Sequence, residues 1–204
     1  MAVSLKRAFD MAFAATGLAL SSPLWLAIAA AVKMQDGGPV FYGQARVGRN
    51  RRTFQAWKFR SMTPDAERSV GPVQAVEHDP RVTPIGRLLR ATAMDELPQL
   101  WNILIGEMSV VGPRALRPGE IEVRGSGTLV AAEDVEGFDE RCSVIPGLTG
   151  LAQLYAPRDV SRRSKFRYDR LYVKRQSFGL DMRLVALSFW ITLRGTWEER
   201  DRKF

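Results

Sequence analysis

Residues 8 to 32 form an almost uncharged apolar run, and no other stretch restricts the possible folds as strongly. As a helix it would be on the order of 37 Å long, enough to cross a hydrocarbon layer of about 30 Å. The run is too long for a cleavable signal peptide, and no small-residue cleavage motif follows it. Lys6 and Arg7 precede it, while Lys33 and a basic stretch from Arg46 to Arg60 follow. Cations on both sides give no orientation bias, which conflicts with a simple span. Ser21-Ser22-Pro23 interrupts the middle. Proline removes a backbone donor and bends a helix, and a neighbouring serine hydroxyl can take the carbonyl so freed. The expected shape for residues 1–35 is therefore a re-entrant helix-break-helix, with Ser22 and Pro23 as the membrane break; a straight span is the alternative.

Residues 36–204 suffice for one domain. Thirty Lys plus Arg against 22 Asp plus Glu leave a net charge of +8, which favours phosphates, lipid headgroups or nucleic acid as partners. No reader motif or aromatic cluster supports nucleic acid, so that partner is not expected. A single cysteine, Cys142, excludes an internal disulfide. A single histidine, His78, excludes His-rich zinc sites and weakens any mechanism built on a histidine base.

Within this basic chain, Asp95 and Glu96 open an apolar segment, Leu97-Pro98-Gln99-Leu100-Trp101-Asn102. Leu97, Leu100, Trp101 and Leu104 follow helical spacing, and Pro98 is tolerable only in a first turn. The helix should thus begin at or just before the acids. Adjacent helical residues point about 100° apart, so the two carboxylates cannot share one task. Either they are a reaction centre, or they merely cap a surface helix.

Two β-prone arms, 40–48 and 53–60, flank an Arg- and Asn-rich turn and predict a β-hairpin. Its turn arginines suit anionic headgroups. A basic helix is expected from Pro84 to Ala93, with Arg87 and Arg90 on one face leading to Asp95. Gly112-Pro113-Arg114 offers backbone amides and a guanidinium suited to a phosphate, or is an ordinary turn. Leu151 to Tyr155 reads as a strand. Helices follow over 164–178 and 181–194, the latter either interfacial or core. The fold class is thus α+β, mainly α, with a membrane-embedded N-terminus and a small catalytic domain carrying a hairpin and interfacial amphipathic helices.

The ordered motifs resemble one family, the bacterial sugar transferases, or monotopic phosphoglycosyl transferases. They are Lys6-Arg7-x-x-Asp10, Ser22-Pro23, Gly38-Pro39-Val40-Phe41 with Gln44 and Arg46, Lys58-Phe59-Arg60-Ser61-Met62, Asp79-Pro80-Arg81-Val82-Thr83, Asp95-Glu96-Leu97-Pro98-Gln99-Leu100, Val111-Gly112-Pro113-Arg114, residues 146–153 (Pro-Gly-Leu-Thr-Gly-Leu-Ala-Gln) and Tyr168-Asp169. Each is weak alone, and the set in this order is specific. Two positions depart from the family: Ala115 stands where proline is usual, and Ala156-Pro157-Arg158 replaces Gly-Arg.

The resemblance implies transfer of a sugar 1-phosphate from a UDP-sugar to polyprenol (undecaprenyl) phosphate, with UMP released. It implies Asp95 as nucleophile, Glu96 as its partner at a required Mg2+, and a minimal catalytic unit on the cytoplasmic face of the bacterial inner membrane. Membrane lipids and downstream glycosyltransferases would be its other partners. An aspartate, ionised above about pH 3.9, needs no base to attack phosphorus. It does need cations to offset anion repulsion. Lys58, Arg60, Arg87 and Arg114 are the expected pyrophosphate cations, and Pro113, Arg158 and Asp169 complete the expected substrate contacts. The competing reading is a nonenzymatic peripheral membrane adaptor that binds anionic lipid, with Asp95-Glu96 as a cap.

Overall fold

The protein is described from a computed structural model covering residues 4–64, 66, 79–123, 129–157 and 160–194. His78, Arg158 and Gly125-Ser126-Gly127 lie outside the described residues.

The apolar run folds as α1, Leu5–Asp36, started by the Ser4 side chain and closed by Gly37 in a left-handed conformation. Its helical backbone continues through Pro23, so the expected break is not a gap in the helix. The reason lies in Ser22. Pro23 cannot donate to the Ala19 carbonyl four residues back, and Ser22 Oγ donates to that carbonyl at 2.8 Å instead. Most of α1 is exposed along its length, and by length and composition it could cross a membrane.

Both ends of α1 are bonded to the rest of the chain. Near the start, Arg7 donates to the Ile103 and Leu104 carbonyls, and Asp10 accepts from Ser109 Oγ and the Val110 amide. Near the end, Arg60 holds the Asp36 carboxylate with two nitrogens, and Gln35 accepts from the Ile85 amide.

The predicted hairpin forms as β1 (Phe41–Val47) and β2 (Thr53–Phe59), joined by a 3₁₀ turn at Arg49–Arg51. Pairing sets Tyr42 opposite Lys58, Gln44 opposite Ala56 and Arg46 opposite Phe54. Strand alternation then puts Tyr42, Gln44 and Arg46 on one face with Lys58. In the turn, Arg51 pairs with Asp139 at 2.5 Å. Helix α2 spans Pro84–Ala91, with proline in its first turn and Thr83 as cap.

The acidic pair lies in a separate 3₁₀ turn, Met94–Glu96, and helix α3 starts only at Gln99 and runs to Ile105. Ala93 precedes the turn in a left-handed conformation with φ of 56°, which sets it off from α2. The helix was expected to begin at or just before the acids. They stand a turn ahead of it instead, and Trp101 points outward while Asn102 and Ile103 are buried.

Strand β3 (Ser109–Val111) is followed by a hairpin of β4 (Ile121–Val123) and β5 (Leu129–Ala131), then by α4 (Phe138–Cys142). Strand β6 (Gly147–Thr149) pairs parallel to β3. Residues 151–155, expected as a strand, form helix α5 (Leu151–Tyr155), because Leu154 packs inward between helices α6 (Arg162–Arg175) and α7 (Phe178–Arg194). Ala14, Leu100, Ile103, Val110, Leu154, Tyr172, Leu184 and Ile191 make the main core, so α1 is built into the domain. Helix α7 serves two surroundings: Leu184 and Ile191 are buried, while Phe189, Trp190 and Leu193 are exposed.

Candidate active site

The hairpin, the Met94–Glu96 turn, the β3 end and α6 surround a cavity of about 1620 Å³. Asp95 and Glu96 both line it, with Lys58 and Arg114 beside them. Asp95 is 8% exposed. Burial raises its carboxyl pKa to about 6 against the opposing pull of Lys58. Burial acts in the same sense on Glu96, but Lys58 and Arg114 outweigh it and bring that group down to about 2. Lys58 Nζ bonds Glu96 Oε1, and the Arg114 guanidinium stands 3.6 Å from the same oxygen. Glu96 is therefore fixed as an anion between two cations, while Asp95 is the less encumbered carboxylate of the pair.

The acids do not occupy the cap position of either element: Ala93 stands there for the Met94–Glu96 turn and Pro98 for α3.

Arg114 owes its position to close backbone contact. A side chain on Gly147 would come within 2.0 Å of the Gly112 nitrogen, and one on Gly150 within 2.1 Å of the Gly112 oxygen. Gly112 and Gly147 amides donate across to Thr149 and Pro113 carbonyls. The Gly112 amide, expected to help hold a phosphate, is thus consumed in strand pairing, and the Arg114 side chain lines the cavity. Pro113 lies outside the lining of that cavity and shapes the turn through its carbonyl.

The other expected cations divide. Arg60 also lines the cavity, but it is buried and committed to Asp36, the Pro39 carbonyl and the end of α1. Arg87 is exposed and outside the cavity lining, whereas Arg90, three residues on, lines it. Asp169, on α6, lines the cavity and pairs with Arg141 at 2.9 Å.

Two arginines were not among the expected site residues, although Arg46 belongs to one of the motifs that carry the resemblance. Arg46 faces the cavity from β1, donating to the Ala115 carbonyl and Gln44; burial, with Arg114 close by, lowers its pKa to about 10. Period-two alternation with Lys58 across the hairpin could have placed it. Arg141, on α4, bonds both Asp169 and the Arg114 carbonyl, and no local pattern announces it.

Away from the charges, the same cavity is lined by Phe13, Gly17 and Leu24 of α1 and by Val185 and Phe189 of α7. One space therefore joins a cationic, carboxylate-bearing end to an apolar one.

The bacterial sugar transferase family model matches residues 1–195. The exopolysaccharide production protein ExoY of Rhizobium meliloti is 41% identical over 194 residues, covering 88% of this chain and 81% of that protein. The exopolysaccharide production protein PSS of Rhizobium leguminosarum bv. phaseoli is 41% identical over 190 residues, covering 91% and 93%. The UDP-glucose:undecaprenyl-phosphate glucose-1-phosphate transferase of Klebsiella pneumoniae is 39% identical over 188 residues, covering 90% of this chain but 39% of that longer protein. With nearly its whole length matched and its acidic pair set among cations, this chain belongs to the bacterial sugar transferase family.

Proposed function

We propose that the protein moves a sugar 1-phosphate from a UDP-sugar to polyprenol phosphate through a covalent aspartyl intermediate. The carrying observation is a buried aspartate, Asp95, in a cavity cationic around the acid and apolar toward α1 and α7. In the first step an Asp95 carboxylate oxygen bonds to the sugar-bearing phosphorus, the bridging P–O bond breaks, and UMP leaves. In the second, a polyprenol phosphate oxygen bonds to that phosphorus and the Asp95–phosphorus bond breaks. The product is a polyprenol diphosphate sugar, a substrate for downstream glycosyltransferases. Lys58 and Arg114 hold Glu96 and offset phosphate charge. Because Asp95 titrates near 6, it is mostly anionic at pH 7 and attacks without a base. Relatives named for undecaprenyl-phosphate sugar phosphotransfer support the substrate classes.

The donor set fits Mg2+. No group of three or more His, Cys, Asp or Glu gathers as a metal site among the described residues. Mg2+ takes one or two carboxylates together with water and substrate phosphates. Asp95 and Glu96 would hold it, and when bound it would neutralise charge on the diphosphate.

For localisation, the reading is a monotopic protein at the cytoplasmic face of the inner membrane. A crossing helix separates its ends by about 30 Å of hydrocarbon, whereas Arg7 and Asp36 here both bond to one domain. That supports an α1 held within one leaflet. Exposed Trp101, Ile105, Phe189 and Trp190 on α3 and α7 support interfacial placement of those helices.

Incubation with a UDP-sugar, without acceptor, tests the mechanism. One UMP per protein and a phosphosugar adduct on Asp95 by mass spectrometry are expected; UMP release by Asp95→Asn at the native rate would sink it.

A further inference from the structure

Asparagine is a poor helix former, and a buried amide is costly unless its hydrogen bonds are made. Asn102 nevertheless sits inside α3 and is 0% exposed. Its side chain is fully engaged. Oδ1 accepts from the Trp57 amide at 3.1 Å, while Nδ2 donates to the Gln55 carbonyl and to Glu107 Oε2, each at 2.7 Å. One side chain thus bonds β2 as a third strand would, along the edge that β1 does not occupy. The backbone of Asn102 is fixed as well: its carbonyl accepts the Gly106, Glu107 and Met108 amides at the end of α3.

Lys58 follows Trp57 directly, and its Nζ bonds Glu96 Oε1. Glu96 and Asn102 belong to one continuous stretch, the Met94–Glu96 turn and the start of α3. Two attachments therefore close a ring, the β2 backbone to Asn102 and the Lys58 ammonium to Glu96. A lysine stem is flexible, so the reach of its ammonium depends on where its backbone stands. Asn102 sets that position. None of its bonds goes to the cavity, and it is not among the cavity-lining residues.

We propose that Asn102 is a positioning residue for the phosphosugar transfer: by clamping β2 to α3 it holds Lys58 against Glu96, so that Asp95 is left for the reaction. Glu107 assists by taking the remaining amide hydrogen. The inference rests on the roles given above to Lys58 and Glu96 in the transferase reading.

A double-mutant cycle separates positioning from plain structural support, because residues that act as one unit lose activity non-additively. The full chain in detergent is given a saturating UDP-sugar without acceptor, and the rate of UMP release per folded protein is measured for Asn102→Ala, Lys58→Met and the pair. Asn102→Ala should slow release about ten-fold or more in the native background and less than about two-fold when Lys58→Met is already present. Glu107→Ala, which removes one bond of three from a half-buried residue, should show the same dependence on Lys58 with a loss of about two- to five-fold. It carries the cycle if Asn102→Ala does not fold. If Lys58→Met slows release, and the Asn102 and Glu107 variants either stay within about two-fold of native or multiply the Lys58→Met loss by their full factor, the positioning role is overturned and the transferase reading stands. Native release by Lys58→Met would remove the role of Lys58 and this inference with it. If no UDP-sugar yields UMP with native protein, the transferase reading itself fails.

Discussion

Asp95 and Glu96 are covalent neighbours whose carboxyl pKa values are pushed in opposite directions: burial lifts Asp95 to about 6, and Lys58 with Arg114 overcomes burial to bring Glu96 to about 2. In the proposed mechanism the division gives each acid its own task, attack for the first and charge organisation for the second. With Asp95 as the proposed nucleophile, the rate of UMP release should fall about ten-fold per pH unit well below 6, with Glu96 still ionised. A pH–rate profile of the first half-reaction, flat through that range, would contradict this assignment.

The same relationship predicts a variant that is inactive yet more stable. Asp95 has a folded pKa near 6 against an ordinary 3.8, so its ionisation opposes folding as the pH rises between those values. At pH 7, in EDTA, Asp95→Asn removes that cost and should gain on the order of 1–3 kcal/mol while abolishing UMP release. Glu96 works the other way: its depressed pKa contributes stability above about 4.5 that is lost as the pH falls toward 2. Thermal unfolding of both proteins at pH 7 and pH 4 checks the sign, because the gain should shrink at pH 4.

Arg60 should behave as a structural residue. Its guanidinium is buried against Asp36, the Pro39 carbonyl and the Met62 carbonyl, and it ties the end of α1 to β2. Asp36 is exposed and water can replace its partner, so the loss falls on the Pro39 and Met62 carbonyls left without this donor, and Arg60→Ala should lose on the order of 1–2 kcal/mol. The surviving folded fraction should keep the native KM for UDP-sugar. A KM raised ten-fold or more without loss of Tm would return Arg60 to the substrate.

Much of this was legible because it is local. Two β-prone arms around an Arg- and Asn-rich turn announced the hairpin, and the serine beside Pro23 announced the hydrogen bond that Ser22 makes to Ala19. The acidic pair was legible as chemistry but not as geometry, since the left-handed Ala93 that detaches its turn has no glycine to advertise it. What stayed hidden depends on distant pairing. Arg141 reaches Asp169 across 28 positions and the Arg114 carbonyl across 27, and no periodicity encodes such contacts. The turn at Gly112 looked suited to a phosphate because tight backbone approach and phosphate cradling ask for the same residue.

That approach makes Gly147 a sharp test of how Arg114 is held. An added methyl would lie 2.0 Å from the Gly112 nitrogen and 2.5 Å from the Thr149 oxygen, both backbone atoms that cannot swing aside. Gly147→Ala should force β3 and β6 apart, cost at least 1–3 kcal/mol by about the usual penalty for overpacking, and reduce kcat through displacement of Arg114. Circular dichroism and UMP release together check it; native Tm and native rate would mean that the strand contact does not hold the guanidinium.

The disposition of α1 gives the last prediction. A straight helix of 32 residues is about 48 Å long, yet Asp10 binds β3 while Asp36 binds Arg60, both in the same domain. If that domain lies on one side of the bilayer, both ends of α1 must be there too, and its exposed Leu20 and Leu26 must enter the lipid without crossing it. Cysteines placed at positions 5 and 35, in a Cys142→Ser background, should react with an impermeant maleimide from the same side in sealed inverted vesicles. Reaction from opposite sides would require a true span and would break either the Asp10 or the Asp36 attachment. Ser22→Ala sharpens the test, because it leaves the Ala19 carbonyl without the donor that Pro23 cannot supply. A destabilisation on the order of 1 kcal/mol is expected, relieved in Ser22→Thr, which keeps the hydroxyl.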